Sequence, residues 1–208
     1  MKLKKKVRRI LIIILIVLAC FVGFLVFRGQ KEKPKEVKEV KVINEVEKYG
    51  YKLKENKPEA YKKMFEELKT ILNKTPVEEE EYAKKIAEMF IYDFYSLNDK
   101  DAKTDIGGVD FIYPLILENF LQNAQDTYYK YIESNVYNNR KQSLPVVKDI
   151  TIDSVEKAPF AYGDTTDENA YAISASWDYT DSQFSSYQKS AKLIFIHEEN
   201  KLSLVELQ

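Results

Sequence analysis

The sequence predicts an α+β fold that follows one N-terminal membrane-spanning helix. Residues 10–27 carry no charge and are long enough to cross the hydrocarbon layer as a helix, which needs about 17–25 apolar residues. Between residues 58 and 134 apolar residues recur at helical spacing, whereas from residue 146 onward they alternate with polar ones, as in strands. This order predicts about three helices that cover one face of a four-stranded antiparallel sheet.

Composition limits the function classes. The net charge of −1 gives no general attraction to nucleic acid, so we expect no nucleic-acid partner. Cys20 is the only cysteine and His197 the only histidine, which excludes an internal disulfide, a thiolate zinc site and a multi-histidine metal site. We also take the single histidine to exclude a histidine-based catalytic triad. No metal or cofactor is predicted.

The N-terminus divides into a basic cytoplasmic tail, residues 1–9, and a signal anchor, residues 10–27. The alternative is a lipoprotein, because residues 17–20, Val-Leu-Ala-Cys, partly match the site at which a signal peptide is cut and Cys20 is lipidated. Leu18 is bulky for such a site, and the apolar run continues after Cys20, where a lipoprotein normally begins with a polar tether. We therefore favour an uncut helix that contains Cys20.

The predicted location is the cell membrane, with a single span and an extracytoplasmic C-terminal domain. Basic residues are equally numerous on both sides of the span, but those of residues 1–9 are denser and are not mixed with acids, which favours a cytoplasmic N-terminus. Lys, Asn, Ile and Tyr are abundant and have AT-rich codons, which favours a low-GC bacterial source.

Residues 28–48 are predicted to be a charged stalk, and residues 49–208 the extracytoplasmic domain. The first helix of the domain should begin near Pro58. For the second, Thr75 is the predicted N-cap, Pro76 the first helical residue and Glu78 the partner in a capping box. The predicted inward residues of these two helices are Ala60, Met64, Phe65, Leu68, Ile71 and Leu72, then Ala83, Ile86, Ala87, Phe90, Ile91 and Phe94.

The third helix should begin near Pro114, run through residue 134 and end by Pro145. Its predicted inward residues are Leu117, Phe120, Leu121, Ala124, Tyr128, Tyr131 and Ile132. Four strands are predicted around residues 146–155, 170–179, 191–197 and 201–207, with the loop 163–169 between the first two and a tight hairpin between the last two. In the second strand Tyr171, Ile173, Ala175, Trp177 and Tyr179 point to one face.

This order of parts resembles the VirB8-like proteins of conjugation and type IV secretion machines, which have the NTF2-like (cystatin-like) fold. The resemblance covers residues 50–208 for the fold, with EYAKKIAEMFIYDFYSLND, residues 81–99, similar to its long core helix and residues 170–207 similar to its strand meander. It implies a curved sheet and a scaffold role. Proteins with this fold also include small-molecule binders and a few enzymes, so the fold does not assign an activity.

Two patterns were weighed as chemical sites. Asp99, Asp101 and Asp105 alternate as in a calcium loop, but Lys103 and Thr104 occupy the positions where an EF-hand needs an acid or amide and then Gly, which favours a solvated loop. Asp93 and Glu118 could act as acids if their helix faces line a cavity. Neither pattern is sufficient to indicate catalysis, and the protein is predicted not to be an enzyme.

The predicted function is that of a membrane-anchored extracytoplasmic interaction or scaffold domain, of which a conjugation or secretion component is the sharpest form. The expected partners are the membrane, through residues 10–27, other membrane or secretion-complex proteins, and a second copy of the chain. The alternative is a surface lipoprotein or anchored module that binds a small ligand or peptide. The candidate binding residues are Trp177, Tyr179, Tyr113 and Tyr128, although a core rich in tyrosine explains the same abundance.

Overall fold

Three α-helices and a four-stranded antiparallel sheet form most of the computed structural model, which describes residues 40–208. The α+β class is therefore confirmed. The predicted tail 1–9, span 10–27 with Cys20, and the start of the stalk lie outside the described residues. Within residues 40–208, no helix has both the length and the apolar character that a membrane span requires.

The first two helices form the helical layer. Helix α1 is Glu59–Leu72 and α2 is Glu79–Tyr95. Helix α1 begins after Pro58 as predicted and buries Tyr61, Phe65, Leu68 and Leu72, whereas Ala60 is exposed. Helix α2 is central to the core, because it buries its six predicted residues and also Tyr82, Met89, Tyr92, Asp93 and Tyr95.

The predicted capping box at the start of α2 is wrong. The N-cap is Glu78, no side chain caps the helix, and Thr75 and Pro76 lie in the turn before it. Val77 packs against the core and so holds this turn outside the helix. Glu79, Glu80 and Glu81 occupy the first turn, where their negative charge suits the helix dipole without a cap.

Helix α3, Leu117–Asp126, is shorter than predicted, and a 3-10 turn, Pro114–Ile116, precedes it. The helix ends at Asp126, and the turn that follows brings Tyr129 into the core, where its hydrogen bonds hold the turn in place. The Tyr129 hydroxyl donates to the Phe94 carbonyl at 2.6 Å and accepts from the Gly107 N–H at 3.1 Å. Tyr129 is fully buried, whereas Tyr131, which was predicted to face inward, is 77% exposed.

The sheet is a meander of four strands in sequence order. Two shorter strands, β1 and β2, precede the helices and are described below, so the strands of the sheet are β3, Val147–Tyr162, β4, Thr165–Tyr179, β5, Ser190–Glu198, and β6, Lys201–Leu207. The five predicted inward residues of β4 are all buried, and the tight hairpin between β5 and β6 is confirmed. The β3–β4 turn is shorter than the predicted loop, since β4 already begins at Thr165. Irregular register at three places in this pair bends the strands.

An additional hairpin precedes the helices. Its strands are β1, Val42–Val46, and β2, Tyr51–Lys54. Residues 42–48 are therefore part of the folded unit, which begins at Val40, and are not stalk as predicted. Tyr51 and Leu53 are buried and pack on the core, which explains why this charged segment folds.

A buried ion cluster joins the end of α2 to two other segments. The Asp93 carboxylate, 5% exposed, accepts hydrogen bonds from Lys57 Nζ at 2.6 and 2.7 Å, Lys100 Nζ at 2.9 Å and the Gly108 N–H at 2.8 Å. Burial opposes the charge, but the two lysines outweigh it and lower the pKa of Asp93 to about 2. Gly107 passes so close that a Cβ there would lie 1.9 Å from the Asp93 carbonyl oxygen.

We predict that Asp93→Asn destabilises the protein by about 3–5 kcal/mol, because it removes the one carboxylate that the buried lysines share. Urea unfolding would measure this. Asp99→Asn is the matched control: Asp99 also bonds Lys100 but is more exposed, so its loss should cost about 1 kcal/mol or less. Since folding lowers the pKa from 3.8, the advantage of the wild type should persist above that pH and disappear as pH falls towards 2. Equal losses in the two variants would contradict a dominant role for Asp93.

Candidate binding groove

A predominantly apolar groove lies between α3 and the C-terminal half of β6. Its volume is about 480 Å³, within the usual range for ligand sites. The end of α2 contributes the floor, one face of α3 forms one wall, and residues 205–208 form the other. The groove therefore depends on where α2, α3 and β6 are held relative to one another.

The floor consists of aromatic rings that support each other. Phe94 packs against Phe120 with ring centres 5.3 Å apart and stacks on Tyr128 at 5.8 Å. Tyr95 meets Tyr128 edge-on at 5.2 Å. Such pairs add to the stability that burial alone provides. The floor is thus formed before any ligand arrives.

The α3 wall presents amide side chains at regular spacing. Asn119, Asn123 and Thr127 follow each other every four residues, so they lie along one side of the helix and continue past its end. Asn119 and Asn123 are exposed, and neither side chain has a hydrogen bond to any residue between 40 and 208. Both amides are free to donate to and accept from a ligand.

The β6 wall is a sheet edge that is only partly covered. Strand β6 pairs with β5 on one side. On the other side Ile112 forms a parallel bridge with Leu204, and the Tyr113 N–H donates to the Leu204 carbonyl at 2.9 Å. The chain then turns away at Pro114 into the 3-10 turn before α3, so the bridge does not continue along residues 205–208.

The side chains that line the groove are mostly uncharged. Of the described residues that line it, only Glu206 carries a charge, and Gln208 donates a hydrogen bond to its carboxylate. Burial and the nearby Tyr179 hydroxyl raise the pKa of Tyr128, which keeps its hydroxyl neutral. Asp93 and Glu118, weighed as acids from the sequence, do not line the groove.

Three of the four candidate binding residues come together at the groove floor. Tyr128 lines the groove, and its hydroxyl lies 3.2 Å from that of Tyr179. Trp177 packs behind Tyr95, with ring centres 4.4 Å apart. Trp177 and Tyr179 are 3% and 5% exposed, so they support the floor from within the core. Neither side chain lines the groove, and their direct contact with a ligand stays a prediction.

The fourth candidate, Tyr113, lies apart from the floor. Its ring meets Tyr162 edge-on at 5.6 Å, and its backbone ends the bridge to β6. Sequence reasoning missed Asn119, Asn123 and Leu207. The four-residue spacing of Asn119, Asn123 and Thr127 indicates that they share one side of the helix. It indicates a groove wall only when β6 is known to lie opposite.

The acidic loop after α2 is tied into its own surroundings. Asp99 pairs with Lys100, and the Asp105 carboxylate accepts the Asp101 N–H at 2.9 Å. In the part of the chain that the structure describes, no group of three or more His, Cys, Asp or Glu side chains is placed to hold a metal ion.

His197 joins the start of α2 to the sheet. Its Nδ1 lies 2.8 Å from Asp167 and its Nε2 lies 2.9 Å from Glu79, whose other oxygen accepts from Tyr171 and Lys157. A triad needs only one histidine, so the single histidine was insufficient evidence against one. The structure argues against a triad for a different reason. Each ring nitrogen of His197 contacts a carboxylate, so neither nitrogen is left to accept a proton from a nucleophile.

We predict a pH-dependent contribution of His197 to stability. Burial opposes its charge, but Asp167 and Glu79 raise its pKa above 6.5. A raised pKa stabilises the folded state fully below pH 6.5, and this contribution is lost as pH rises through the folded-state value.

Unfolding free energies of wild type and His197→Gln, measured between pH of about 5 and about 9, should differ by about 1 kcal/mol or less at the acid end and converge at the alkaline end. Asp178→Asn is the control, because its pair with Lys189 should give a difference that is flat over this range. A difference that grows with pH would contradict the charged pairing of His197.

Comparison with known proteins gives no match: no protein-family model, no curated protein and no solved structure matches the chain. The function must therefore be argued from the groove itself.

Proposed function

We propose that the chain is a membrane-anchored extracytoplasmic interaction domain that holds a partner protein in the groove between α3 and β6. The observation that carries the proposal is a preformed aromatic floor between a wall of unpaired amides and a partly uncovered sheet edge. Residues 10–27 would be the anchor, with residues 1–9 in the cytoplasm. In this proposal the α+β domain adopts the NTF2-like fold and serves a conjugation or secretion apparatus as VirB8-like proteins do.

The mechanism is one of assembly. The anchor confines the domain to the membrane surface, which raises the effective concentration of partners in the same membrane. The floor is already packed, so binding orders few side chains and loses little free energy for that reason. Modest contacts in the groove would then be sufficient to retain a partner or a second copy of the chain.

A second candidate function is the binding of a small ligand by an anchored or lipidated domain, with Cys20 as the lipidated residue. It is favoured by the groove volume of about 480 Å³ and by the combination of aromatic floor and amide wall. In that case the occupant would be a small molecule and no protein would be crosslinked at the groove.

We predict that a photo-crosslinking residue at Asn123 captures a protein of defined mass in living cells. Asn123 lines the groove, whereas Gln122, on the same helix and exposed, does not, so position 122 is the matched control. Asn119→Arg should fill the groove and reduce the adduct at least tenfold, whereas Gln122→Arg should leave it unchanged. The measurement is the yield and mass of adducts from the full chain.

Equal adducts from positions 122 and 123, or adducts that Asn119→Arg does not reduce, would contradict groove binding. A small-molecule mass shift at position 123 without a protein adduct would favour the second candidate.

A further inference from the structure

We infer that the groove binds an extended peptide segment of the partner as an added strand on the edge of β6. This inference rests on the proposed function and names the class of ligand: a segment with apolar side chains at alternate positions and a basic residue that faces Glu206.

The edge of β6 has a backbone position ready for pairing. Gln208 exchanges both backbone hydrogen bonds with Lys192, at 2.9 and 3.0 Å. In an antiparallel pair the bonding direction alternates, so the N–H and C=O of Leu207 point away from β5. The parallel bridge at Ile112 ends two residues later at Pro114, so this position is left uncovered. An added strand would continue the pairing along the same edge.

The amide wall matches the opposite edge of such a peptide. Asn119 and Asn123 are four residues apart, which is about 6 Å along a helix. Backbone groups on one edge of an extended strand repeat every two residues, about 6.6–6.8 Å. Each amide can donate to a carbonyl and accept from an N–H. A strand in the groove would thus find partners for its backbone on both sides.

The floor determines which side chains the peptide needs. Alternate side chains of a strand point to the same face, so every second residue would contact Phe120, Tyr128 and Leu207 while the others face solvent. Residues 205–208 extend for about 13 Å, which corresponds to a ligand core of about four residues.

Charge selects among such segments. Glu206 is the only charged side chain among the described residues that line the groove, and it is negative. A basic residue near it would be attracted, whereas an acidic segment would be repelled. A neutral small molecule could occupy the floor, but it would not continue the ladder of backbone hydrogen bonds along β6.

The test uses the whole chain in detergent micelles and two display libraries of nine-residue peptides. One library has Val, Ile, Leu or Phe at alternate positions and one Lys. The other has the same composition arranged at helical spacing. Binders that Asn119→Arg abolishes are then resynthesised with single backbone N-methyl groups. We expect binders from the alternating library. A single N-methyl group should weaken binding at least about tenfold at every second position of the peptide, and should change it little at the positions between.

The protein side of the pairing is tested by Leu207→Pro against Leu207→Ala. Both substitutions remove the leucine side chain, but only proline also removes the backbone N–H of residue 207. Because this N–H points away from β5, its loss breaks no hydrogen bond of the sheet. Thermal unfolding of both variants would check that they fold. Leu207→Pro should bind the peptide at least about tenfold more weakly than Leu207→Ala.

The outcomes separate the inference from the proposed function. Groove binders that come only from the helical library, or that tolerate N-methylation and Leu207→Pro, would overturn strand addition and leave the groove as a docking site. Absence of any binder that Asn119→Arg abolishes, from both libraries, would overturn peptide binding in the groove altogether.

Discussion

The buried carboxylate of Asp93 is the constraint on which the remaining structure depends. Its bonds to Lys57, Lys100 and the Gly108 N–H attach two separate segments to the end of α2. The loop that carries Lys100 and Gly108 leads directly to Ile112, which reaches the edge of β6. A buried charge without its partners is very unfavourable, so these segments have no equally stable alternative position. The cluster thereby determines where the chain enters α3 and how much of the β6 edge it covers.

The groove follows from this arrangement. The last turn of α2 supplies Phe94 and Tyr95 to the floor, and Tyr129 anchors the turn after α3 by bonding the Phe94 carbonyl. Helix α3 is therefore short and stands beside β6, with the aromatic rings between them. The result is a preformed, largely uncharged surface with hydrogen-bonding groups on both walls.

The sequence predicted the elements whose residues repeat regularly, and missed those set by distant contacts. Helix α2 and strand β4 were found because their inward residues keep one period from end to end. Hairpin β1–β2 was missed because its charged residues resemble a linker, and only contact with the core orders Tyr51 and Leu53. The end of α3 was misplaced because Tyr129 bonds a carbonyl far away in sequence. The groove could not be predicted, since Asn119 and Leu207 become neighbours only through the fold, although Tyr128, one of the candidate binding residues, does line it.

Amide hydrogen exchange across β6 tests the docking of a partner strand most directly. It would be measured on the full chain in native membranes, where partners are present, and again after purification. Docking in the groove predicts that residues 203–208 exchange more slowly in native membranes, while helix α1, which contributes no residue to the groove lining, exchanges equally in both samples. Identical exchange of residues 203–208 in the two samples would contradict the docking of a partner at this edge.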